Sequence, residues 1–214
     1  MMRTCYIISG GKCESDEFLR SIDFNGCDVV CCDAGFLVAK RLDLKIKAVI
    51  GDFDTLGYVP DDDCEVITFA KEKDDTDTML AVKYAIDNEY ECVRILCALG
   101  GRVDHLFANL QTLNFLSESI PDSKILSDNC EIMFLKSSSV SIQKDTYRYF
   151  SVFSFSDVCY GVSIVGSKYE TSDVTLSSDY PLGACNEFVD DKVIISCQKG
   201  TLMVVLANDI NLFV

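Results

Sequence analysis

Three short clusters in the first half of the chain combine carboxylates with glycine or a cation, and each follows an apolar run. The clusters are Gly51-Asp52-Phe53-Asp54-Thr55, Lys73-Asp74-Asp75-Thr76-Asp77 and Gly100-Gly101-Arg102-Val103-Asp104-His105. Carboxylates are hard oxygen ligands for Mg²⁺ or Ca²⁺, and a guanidinium donates a fork of hydrogen bonds that fits phosphate. Together these residue types predict a metal-assisted site for a polyanion.

Two of these carboxylates, Asp52 and Asp54, come directly after the apolar pair Val49-Ile50, where Gly51 permits a sharp turn. On an extended strand tip, residues two positions apart point the same way, so both side chains are placed to hold one metal. A turn or a helix cap accounts for an isolated Asp-x-Asp equally well. The pair therefore needs support from the other clusters.

The remaining candidates have a structural as well as a chemical interpretation. Asp77, near a helix start, complements the helix dipole, and Asp33 is either a helix N-cap or a contact for ribose, base or metal. Arg102 suits phosphate, Asp104 suits a metal or a hydroxyl, and His105 is typical of a helix start. Residue types alone do not decide between these interpretations.

The positions of the clusters support the hypothesis of one shared site, because each cluster follows a different predicted strand. In a parallel sheet, the loops at the carboxyl ends of the strands emerge on one side and form the ligand crevice. The chain contains neither a Gly-x-x-x-x-Gly-Lys-Ser/Thr loop nor a Gly-x-Gly-x-x-Gly loop, which argues against a P-loop ATPase and an ordinary dinucleotide fold. Phosphate is therefore expected to be held through metal, Lys73 and Arg102.

Alternating strands and helices predict a mainly parallel sheet with helices on its faces in the first part of the chain. The predicted strands are residues 5–8, 28–32, 47–50, 65–69, 93–98 and 124–126. Two helix faces are predicted to enter the core, one marked by Met79, Val82 and Ile86 and the other by Leu106, Leu110 and Leu113.

From about residue 127 onward, the pattern changes to short β-rich runs separated by Ser, Asp and Gly, which is typical of an antiparallel sandwich. The runs are residues 130–135, 140–144, 147–155, 158–165, 173–176, 192–197 and 201–206. The chain is therefore predicted to be an α/β protein, with an N-terminal domain at residues 1–127 and a C-terminal antiparallel β-sandwich at residues 128–214.

The composition limits the partners and the compartment. The 34 acidic and 19 basic residues give a net charge of -15, which is the wrong sign for binding the phosphates of nucleic acid. Twelve cysteines without a Cys-x-x-Cys and a single histidine argue against a zinc site. Because no apolar run approaches the roughly 20 residues of a membrane span, we expect a cytoplasmic protein with reduced thiols that binds no membrane.

The three clusters resemble the motifs of the thiamine pyrophosphokinases, enzymes that transfer a pyrophosphoryl group from ATP to thiamine and release AMP. The family patterns Gly-Asp-x-Asp-Ser/Thr, Lys-Asp-x-Thr-Asp and Gly-Gly-Arg-x-Asp-His-x-x-Ala-Asn match residues 51–55, 73–77 and 100–109 in that order. The resemblance implies an N-terminal ATP- and Mg²⁺-binding catalytic domain and a C-terminal thiamine-binding sandwich. It also implies a homodimer with the substrates near the subunit interface.

The same resemblance implies Mg²⁺ as cofactor, ATP and thiamine as substrates, and a role for each matching residue. The implied metal ligands are Asp52, Asp54 and Asp77, and the implied catalytic residues are Asp77, Asp104 and Arg102. The implied ATP contacts are Asp33, Lys73, Asp74, Thr76, Arg102 and His105, and the implied thiamine contacts are Cys185 and Asn186.

Two positions depart from the family pattern. Cys185 stands where the family has Ser in a Ser-Asn-Glu element, and a thiol is the weaker hydrogen-bonding group. Ala34 replaces the first glycine of an Asp-Gly-Gly turn that begins here at Asp33, which is expected to shift a loop on the nucleotide side.

Two other functions stay open on the sequence. A phosphatase of the haloacid-dehalogenase type also places an Asp-x-Asp after a strand, although Leu56 stands here where that family has Thr or Val. A non-catalytic sensor of nucleotide or divalent ions is the second alternative. The products separate the three, because the phosphatase releases inorganic phosphate without thiamine and the sensor makes no AMP.

Overall fold

The computed structural model describes residues 2–60, 63–70, 72 and 74–209. The chain divides into two compact units, Met1–Asp128 and Asn129–Val214, so the break falls one residue beyond the expected domain boundary. Among the described residues, no helix combines the length and the apolar composition needed to cross a membrane. All twelve cysteines lie in the described residues, and none of them forms a disulfide.

The first unit is a parallel sheet with helices packed against it. Its strands are β1 (Thr4–Ile8), β2 (Asp28–Cys32), β3 (Ile46–Gly51), β4 (Glu65–Thr68), β5 (Cys92–Leu96) and β6 (Ser123–Leu126). Its helices are α1 (Asp16–Ser21), α2 (Gly35–Arg41), α3 (Asp77–Asp87) and α4 (Val103–Ser119). The strands run in the order β6-β5-β1-β2-β3-β4 and every neighbouring pair is parallel. The predicted parallel α/β architecture is therefore confirmed.

The strand sequences explain why this sheet is buried. Four of the five residues of β2 and five of the six residues of β3 are buried, as expected for parallel strands covered on both faces. The strand predicted at residues 93–98 ends earlier, at Leu96, because Cys97 has a φ of 57°, which breaks the extended conformation. The loop that carries Gly100 and Gly101 therefore begins sooner than the sequence pattern predicts.

The strand order reverses beside β1. The chain passes from β1 outward through β2, β3 and β4, and then returns to the other side of β1 to add β5 and β6. The loops that leave β1 and β5 therefore flank the point where the strand order reverses, at the carboxyl ends of these two strands. Such switch points are where open α/β sheets bind their ligands.

The two predicted helix faces are only partly correct. In α3, Val82 is buried, but Met79 and Ile86 are half-buried, and Thr78, Ala81 and Ala85 complete the buried face. In α4, Leu113 is buried, whereas Leu106 and Leu110 are half-buried, and the buried set continues through Asn109, Thr112, Leu116 and Ser117. Small and polar residues that pack closely against the sheet and the neighbouring helix shift both faces relative to the apolar pattern.

The second unit consists of two antiparallel sheets around one core. Its strands are β7 (Cys130–Lys136), β8 (Ser139–Gln143), β9 (Tyr149–Ser154), β10 (Val158–Val165), β11 (Thr171–Ser177), β12 (Asn186–Glu187), β13 (Lys192–Ser196) and β14 (Thr201–Ala207). One sheet has the order β12-β9-β14-β7 and the other β11-β10-β13-β8. This arrangement confirms the predicted β-sandwich.

The core of the sandwich follows from the alternation of apolar and polar residues. In β9 and β14, every second residue is buried, and Phe150, Val152, Leu202 and Val204 are fully inaccessible to solvent. Phe150 also packs edge-on against Phe188, with ring centroids 5.1 Å apart. Among the strands of this unit up to residue 209, the sequence pattern missed only β12, because a two-residue strand leaves no periodicity to detect.

We predict that Gly35→Ala destabilises the first unit. A Cβ at Gly35, the first residue of α2, would lie 2.1 Å from the backbone oxygen of Ile8 at the end of β1. Overpacking of this kind costs about 1–3 kcal/mol, so urea denaturation should show a free energy of unfolding lower by about 2 kcal/mol. Leu37→Ala is the matched control in the same helix, since Leu37 is 52% exposed and surface changes stay within about 0.5 kcal/mol. Equal stability of Gly35→Ala and wild type would contradict the close approach of α2 and β1.

Candidate functional site

A pocket of about 420 Å³ lies at the carboxyl ends of the strands of the first unit. Loops that follow five different strands, β1 to β5, contribute its walls. The lining residues are Gly10, Gly11, Lys12, Cys32, Asp33, Asp52, Asp54, Thr55, Thr76, Asp77, Thr78, Gly100, Gly101, Arg102, His105, Ala108 and Asn109. The convergence of separate clusters at one edge of the sheet is the arrangement that the sequence predicts.

The pocket brings together most of the predicted site residues of the first unit. Those that line it are Asp33, Asp52, Asp54, Thr76, Asp77, Arg102 and His105. Asp74 and Asp104 are described but do not line the pocket, and Lys73 lies outside the described residues. The two predicted thiamine contacts, Cys185 and Asn186, belong to the second unit.

Asp52 and Asp54 reach the pocket through a turn and not through an extended strand tip. Phe53, between them, has a φ of 58° and is buried in the core of the first unit. The Asp52 carboxylate accepts a hydrogen bond of 3.1 Å from the backbone N–H of Asp54, and the Asp54 carboxylate accepts one of 3.2 Å from Thr55. The buried phenyl ring anchors the turn and leaves both carboxylates at the pocket. Both side chains therefore lie on the same side as predicted, but a turn and not an extended strand places them there.

Asp77 and Thr76 lie at the start of α3. Thr76 is the N-cap, and its hydroxyl accepts a hydrogen bond of 3.2 Å from the N–H of Met79. Thr78 contacts Ser9 through a buried hydroxyl–hydroxyl hydrogen bond of 2.8 Å. These two contacts fix the first turn of α3 against β1, and they hold Asp77 at the pocket wall.

Asp33 is the most deeply buried acidic residue of the pocket. Its exposure is only 6%, its φ is 41°, and its Oδ1 has no hydrogen-bond partner among the described residues. An unsatisfied buried acceptor costs about 1–3 kcal/mol, so a ligand donor or a cation at this position would be stabilising. The N-cap of α2 is Ala34 and it makes no side-chain hydrogen bond, so Asp33 is not the cap of this helix.

Ala34 follows Asp33 at the position where the family pattern has glycine, and the expected loop shift stays a prediction. Ala34 has φ -58° and ψ -18°, an ordinary right-handed conformation that needs no glycine. Gly35 is the residue that the close approach of α2 to β1 requires. The backbone that positions Asp33 is accordingly compatible with alanine at position 34.

Arg102 and Asp104 form an exposed ion pair beside the pocket. The Nε of Arg102 donates to Oδ1 of Asp104 at 3.0 Å, and its Nη2 donates to Oδ2. The same Oδ1 accepts a hydrogen bond of 3.0 Å from the N–H of His105 in the first turn of α4. These donors, Arg102 first, lower the pKa of Asp104 to about 2. Asp104 is therefore a weak base at neutral pH.

The carboxylates of the pocket are of the ligand type that Mg²⁺ prefers, although they do not by themselves form a complete coordination shell. Within the described part of the chain, no group of three or more His, Cys, Asp or Glu side chains is already arranged to hold a metal ion. Mg²⁺ usually takes one or two carboxylates and completes its shell with substrate phosphates and water. Asp52, Asp54 and Asp77 therefore suit an ion that arrives with a phosphate ligand.

Sequence reasoning missed the loop after β1, which contributes Gly10, Gly11 and Lys12 to the pocket. The sequence does contain a pattern that indicates this loop, because the glycine pair Gly10-Gly11 follows an apolar run, as Gly100-Gly101 does. Asn109, the last residue of the third motif, was given no role in the sequence analysis. Its buried side-chain amide donates a hydrogen bond of 2.7 Å to the carbonyl of Ala98 and so ties α4 to the loop after β5.

In the second unit, Asn186 is buried and Cys185 is exposed. The Asn186 side chain accepts from the N–H groups of Tyr169 and Glu187, and it donates to the Ser167 hydroxyl and to the Tyr169 carbonyl. Asn186 thus fixes the local backbone of the sandwich. Cys185 has a φ of 57°, which lies in the left-handed region that few residues other than glycine adopt.

Comparison with known proteins is consistent over both units. Residues 25–121 match the family model "Thiamin pyrophosphokinase, catalytic domain", and residues 137–202 match "Thiamin pyrophosphokinase, vitamin B1 binding domain". The thiamine pyrophosphokinase of Bacillus subtilis is 24% identical over 222 residues, covering 97% of this chain and all of that protein.

Solved structures share the fold. Crystal structures of the thiamine pyrophosphokinases from Bacillus subtilis and Geobacillus thermodenitrificans each give a TM-score of 0.86, with 22% and 24% identity. They cover 97% and 98% of this chain, and all of each solved chain. The enzyme from Candida albicans gives a TM-score of 0.74 at 15% identity, covering 97% of this chain and 90% of its own.

The α/β unit with its acidic pocket, followed by the β-sandwich, defines a transferase of thiamine metabolism. The chain belongs to the thiamine pyrophosphokinase family, whose catalytic and vitamin-binding models together match more than half of its length.

We predict that Arg102→Gln raises the pKa of Asp104 toward the ordinary aspartate value of about 3.9. With Arg102 present, the lowered pKa keeps the carboxylate ionised at pH 3, whereas without the guanidinium most of it should be protonated at that pH. Carboxyl ¹³C NMR titration of the two proteins measures this directly. Arg41→Gln, which breaks an exposed ion pair with Asp16, should leave the Asp104 titration unchanged. An Asp104 pKa that is the same with and without Arg102 would show that the ion pair does not form in solution.

Proposed function

We propose that this protein is a Mg²⁺-dependent thiamine pyrophosphokinase that transfers the pyrophosphoryl group of ATP to the thiamine hydroxyl, giving thiamine diphosphate and AMP. The observation that carries the proposal is the convergence of Asp52, Asp54 and Asp77 from separate loops in one pocket of a chain of this family. The vitamin-binding model matched in the second unit supports thiamine as the acceptor.

The proposed reaction is an in-line displacement at the β-phosphorus of ATP. The hydroxyl oxygen of thiamine forms a bond to this phosphorus, the bond from phosphorus to the oxygen bridging the α-phosphate breaks, and AMP leaves with that oxygen. The hydroxyl proton is released. Positioning of the two substrates and neutralisation of the phosphate charge supply most of the catalysis in such transfers.

The proposed metal ligands are Asp52, Asp54 and Asp77. Bound there, Mg²⁺ would neutralise phosphate charge that carboxylates cannot neutralise themselves. The turn anchored by Phe53 and the capped start of α3 hold these three side chains at the pocket before substrate arrives. Little reorganisation is then needed when the nucleotide binds.

The proposed nucleotide contacts occupy the remaining walls. The unsatisfied Oδ1 of Asp33 is a buried acceptor suited to a ribose hydroxyl or a base amine. Arg102 and His105 line the pocket from the start of α4 and are suited to phosphate oxygens. Thr76 is a wall residue whose hydroxyl also caps α3. Lys73 and Asp74 are proposed ATP contacts on the family resemblance.

The proposed role of Asp104 is to orient Arg102 near the reacting phosphate. A carboxylate with its pKa lowered to about 2 accepts a proton poorly at neutral pH. Asp104 therefore contributes to catalysis through the guanidinium that it holds and not as a general base. A loose phosphoryl-type transition state does not require a strong base.

The remaining parts of the proposal concern thiamine and assembly. Cys185 and Asn186 are the proposed thiamine contacts, with Asn186 acting through the backbone that its side chain holds. A cytoplasmic homodimer with substrates near the subunit interface is the proposed assembly. The negative charge of -15 favours the approach of cationic thiamine.

The direct test is incubation of the purified protein with ATP, Mg²⁺ and thiamine, followed by quantification of AMP and thiamine diphosphate. We expect the two products in equal amounts, and none without thiamine. Release of inorganic phosphate without thiamine would indicate a phosphatase instead. Nucleotide binding without AMP formation would indicate a sensor.

Asp54→Asn should reduce turnover at least about a hundredfold, because loss of a metal-ligating carboxylate removes several kcal/mol of transition-state stabilisation. Asp43→Asn is the matched control. Asp43 lies outside the pocket and borders a second cavity, and its left-handed φ of 56° is tolerated by asparagine. Full activity of Asp54→Asn would remove the proposed metal role, provided that its thermal unfolding matches wild type.

A further inference from the structure

The loop after β1 places a lysine at the point where the strand order of the sheet reverses. Ser9-Gly10-Gly11-Lys12 leaves the carboxyl end of β1, and Gly10, Gly11 and Lys12 all line the pocket. The neighbouring strand β5 delivers Gly100, Gly101 and Arg102 to the same crevice. None of the acidic clusters lies on the β1 loop. This loop therefore contributes two glycines and a cationic side chain to the pocket, whereas the loops after β2, β3 and β4 contribute carboxylates.

Close backbone contacts hold this loop in place. Lys12 and Gly100 form an antiparallel bridge, and a Cβ at Gly100 would lie 2.7 Å from the Cβ of Lys12. A Cβ at Gly11 would lie 2.5 Å from the carbonyl oxygen of Cys97. The Glu14 carboxylate accepts a hydrogen bond of 2.9 Å from the N–H of Cys97, which adds a further tie between the two loops. Both glycines are therefore needed for the approach, and Lys12 extends from a fixed backbone.

The charges of the pocket indicate why a lysine at this position would matter for binding a phosphate chain. Asp33, Asp52, Asp54 and Asp77 line the pocket, whereas Lys12 and Arg102 are the cationic side chains among its described lining residues. Arg102 is engaged by Asp104, and the described residues show no ion pair of Lys12. An ATP triphosphate needs positive charge beyond a single divalent ion, and the ammonium of a lysine that lines the pocket supplies it.

We propose that Lys12 is a nucleotide-affinity residue that binds the phosphate chain of ATP at the crevice between β1 and β5. The inference rests on the proposed function, since it takes ATP as the ligand of this pocket. Lys12 acts on binding of the nucleotide and not on binding of thiamine. Its contact is a charge-assisted hydrogen bond from the ammonium to a phosphate oxygen.

The test is calorimetric titration with the magnesium complex of α,β-methylene-ATP, which the proposed reaction cannot cleave, in the absence of thiamine. Lys12→Met should weaken binding about tenfold, as expected for loss of one charge-assisted hydrogen bond. Lys12→Arg should remain within about threefold of wild type because the charge is retained. Lys47→Met, an exposed lysine outside the pocket, should bind as wild type does.

Steady-state kinetics separate a binding role from a structural one. In Lys12→Met, the KM for ATP should rise while the KM for thiamine stays unchanged. Added salt should reduce the difference in the KM for ATP between Lys12→Met and wild type, because salt screens the charge of the lysine. Unchanged affinity of Lys12→Met for the analogue would overturn the inference and leave the proposed function intact. Absence of nucleotide binding by the wild-type protein would overturn both.

Discussion

The site depends on one constraint, which is that parallel strands deliver all their carboxyl ends to the same edge of a sheet. Five consecutive strands of the first unit end there, and each is followed by a loop that reaches one pocket. Close backbone contact at Gly11, Gly35 and Gly100 lets three of these connections pack without side chains between them. The chemistry of the site therefore follows from the backbone arrangement before any ligand is considered.

This arrangement brings several negative charges together in one pocket, and binding of a cation would reduce their repulsion. Several carboxylates face one cavity, and the buried Oδ1 of Asp33 has no partner among the described residues. Like charges that line one cavity disfavour one another unless cations or water compensate them. A substrate that brings divalent metal and hydrogen-bond donors is stabilised by the same residues. The features that cost stability in the free protein would thus favour binding of a metal–nucleotide complex.

Much of the fold was predictable because strands and turns leave strong local signals. Continuous apolar runs marked β2 and β3, and alternation marked β9 and β14. The end of β5 was misplaced because the left-handed conformation of Cys97 leaves no signature in the sequence. The two helix faces were shifted because Ala81, Ala85 and Thr112 are buried by packing, which hydrophobicity alone does not encode.

The site was predictable in membership but not in geometry. The motifs identified Asp33, Asp52, Asp54 and Asp77, and the structure brings them to one pocket. The turn at Phe53 could not be foreseen, since its left-handed φ depends on burial of the ring in the core. Lys12 was overlooked because its position beside Gly100 arises from the order of strands and not from spacing along the chain.

The most direct measurement is crystallographic, using the protein with Mn²⁺ and α,β-methylene-ATP and diffraction data collected at the manganese absorption edge. The account predicts an anomalous peak in the pocket of the first unit, bonded to carboxylates from among Asp52, Asp54 and Asp77 and to a phosphate oxygen. A manganese ion and triphosphate bound elsewhere on the molecule, with these three side chains contacting neither, would contradict it.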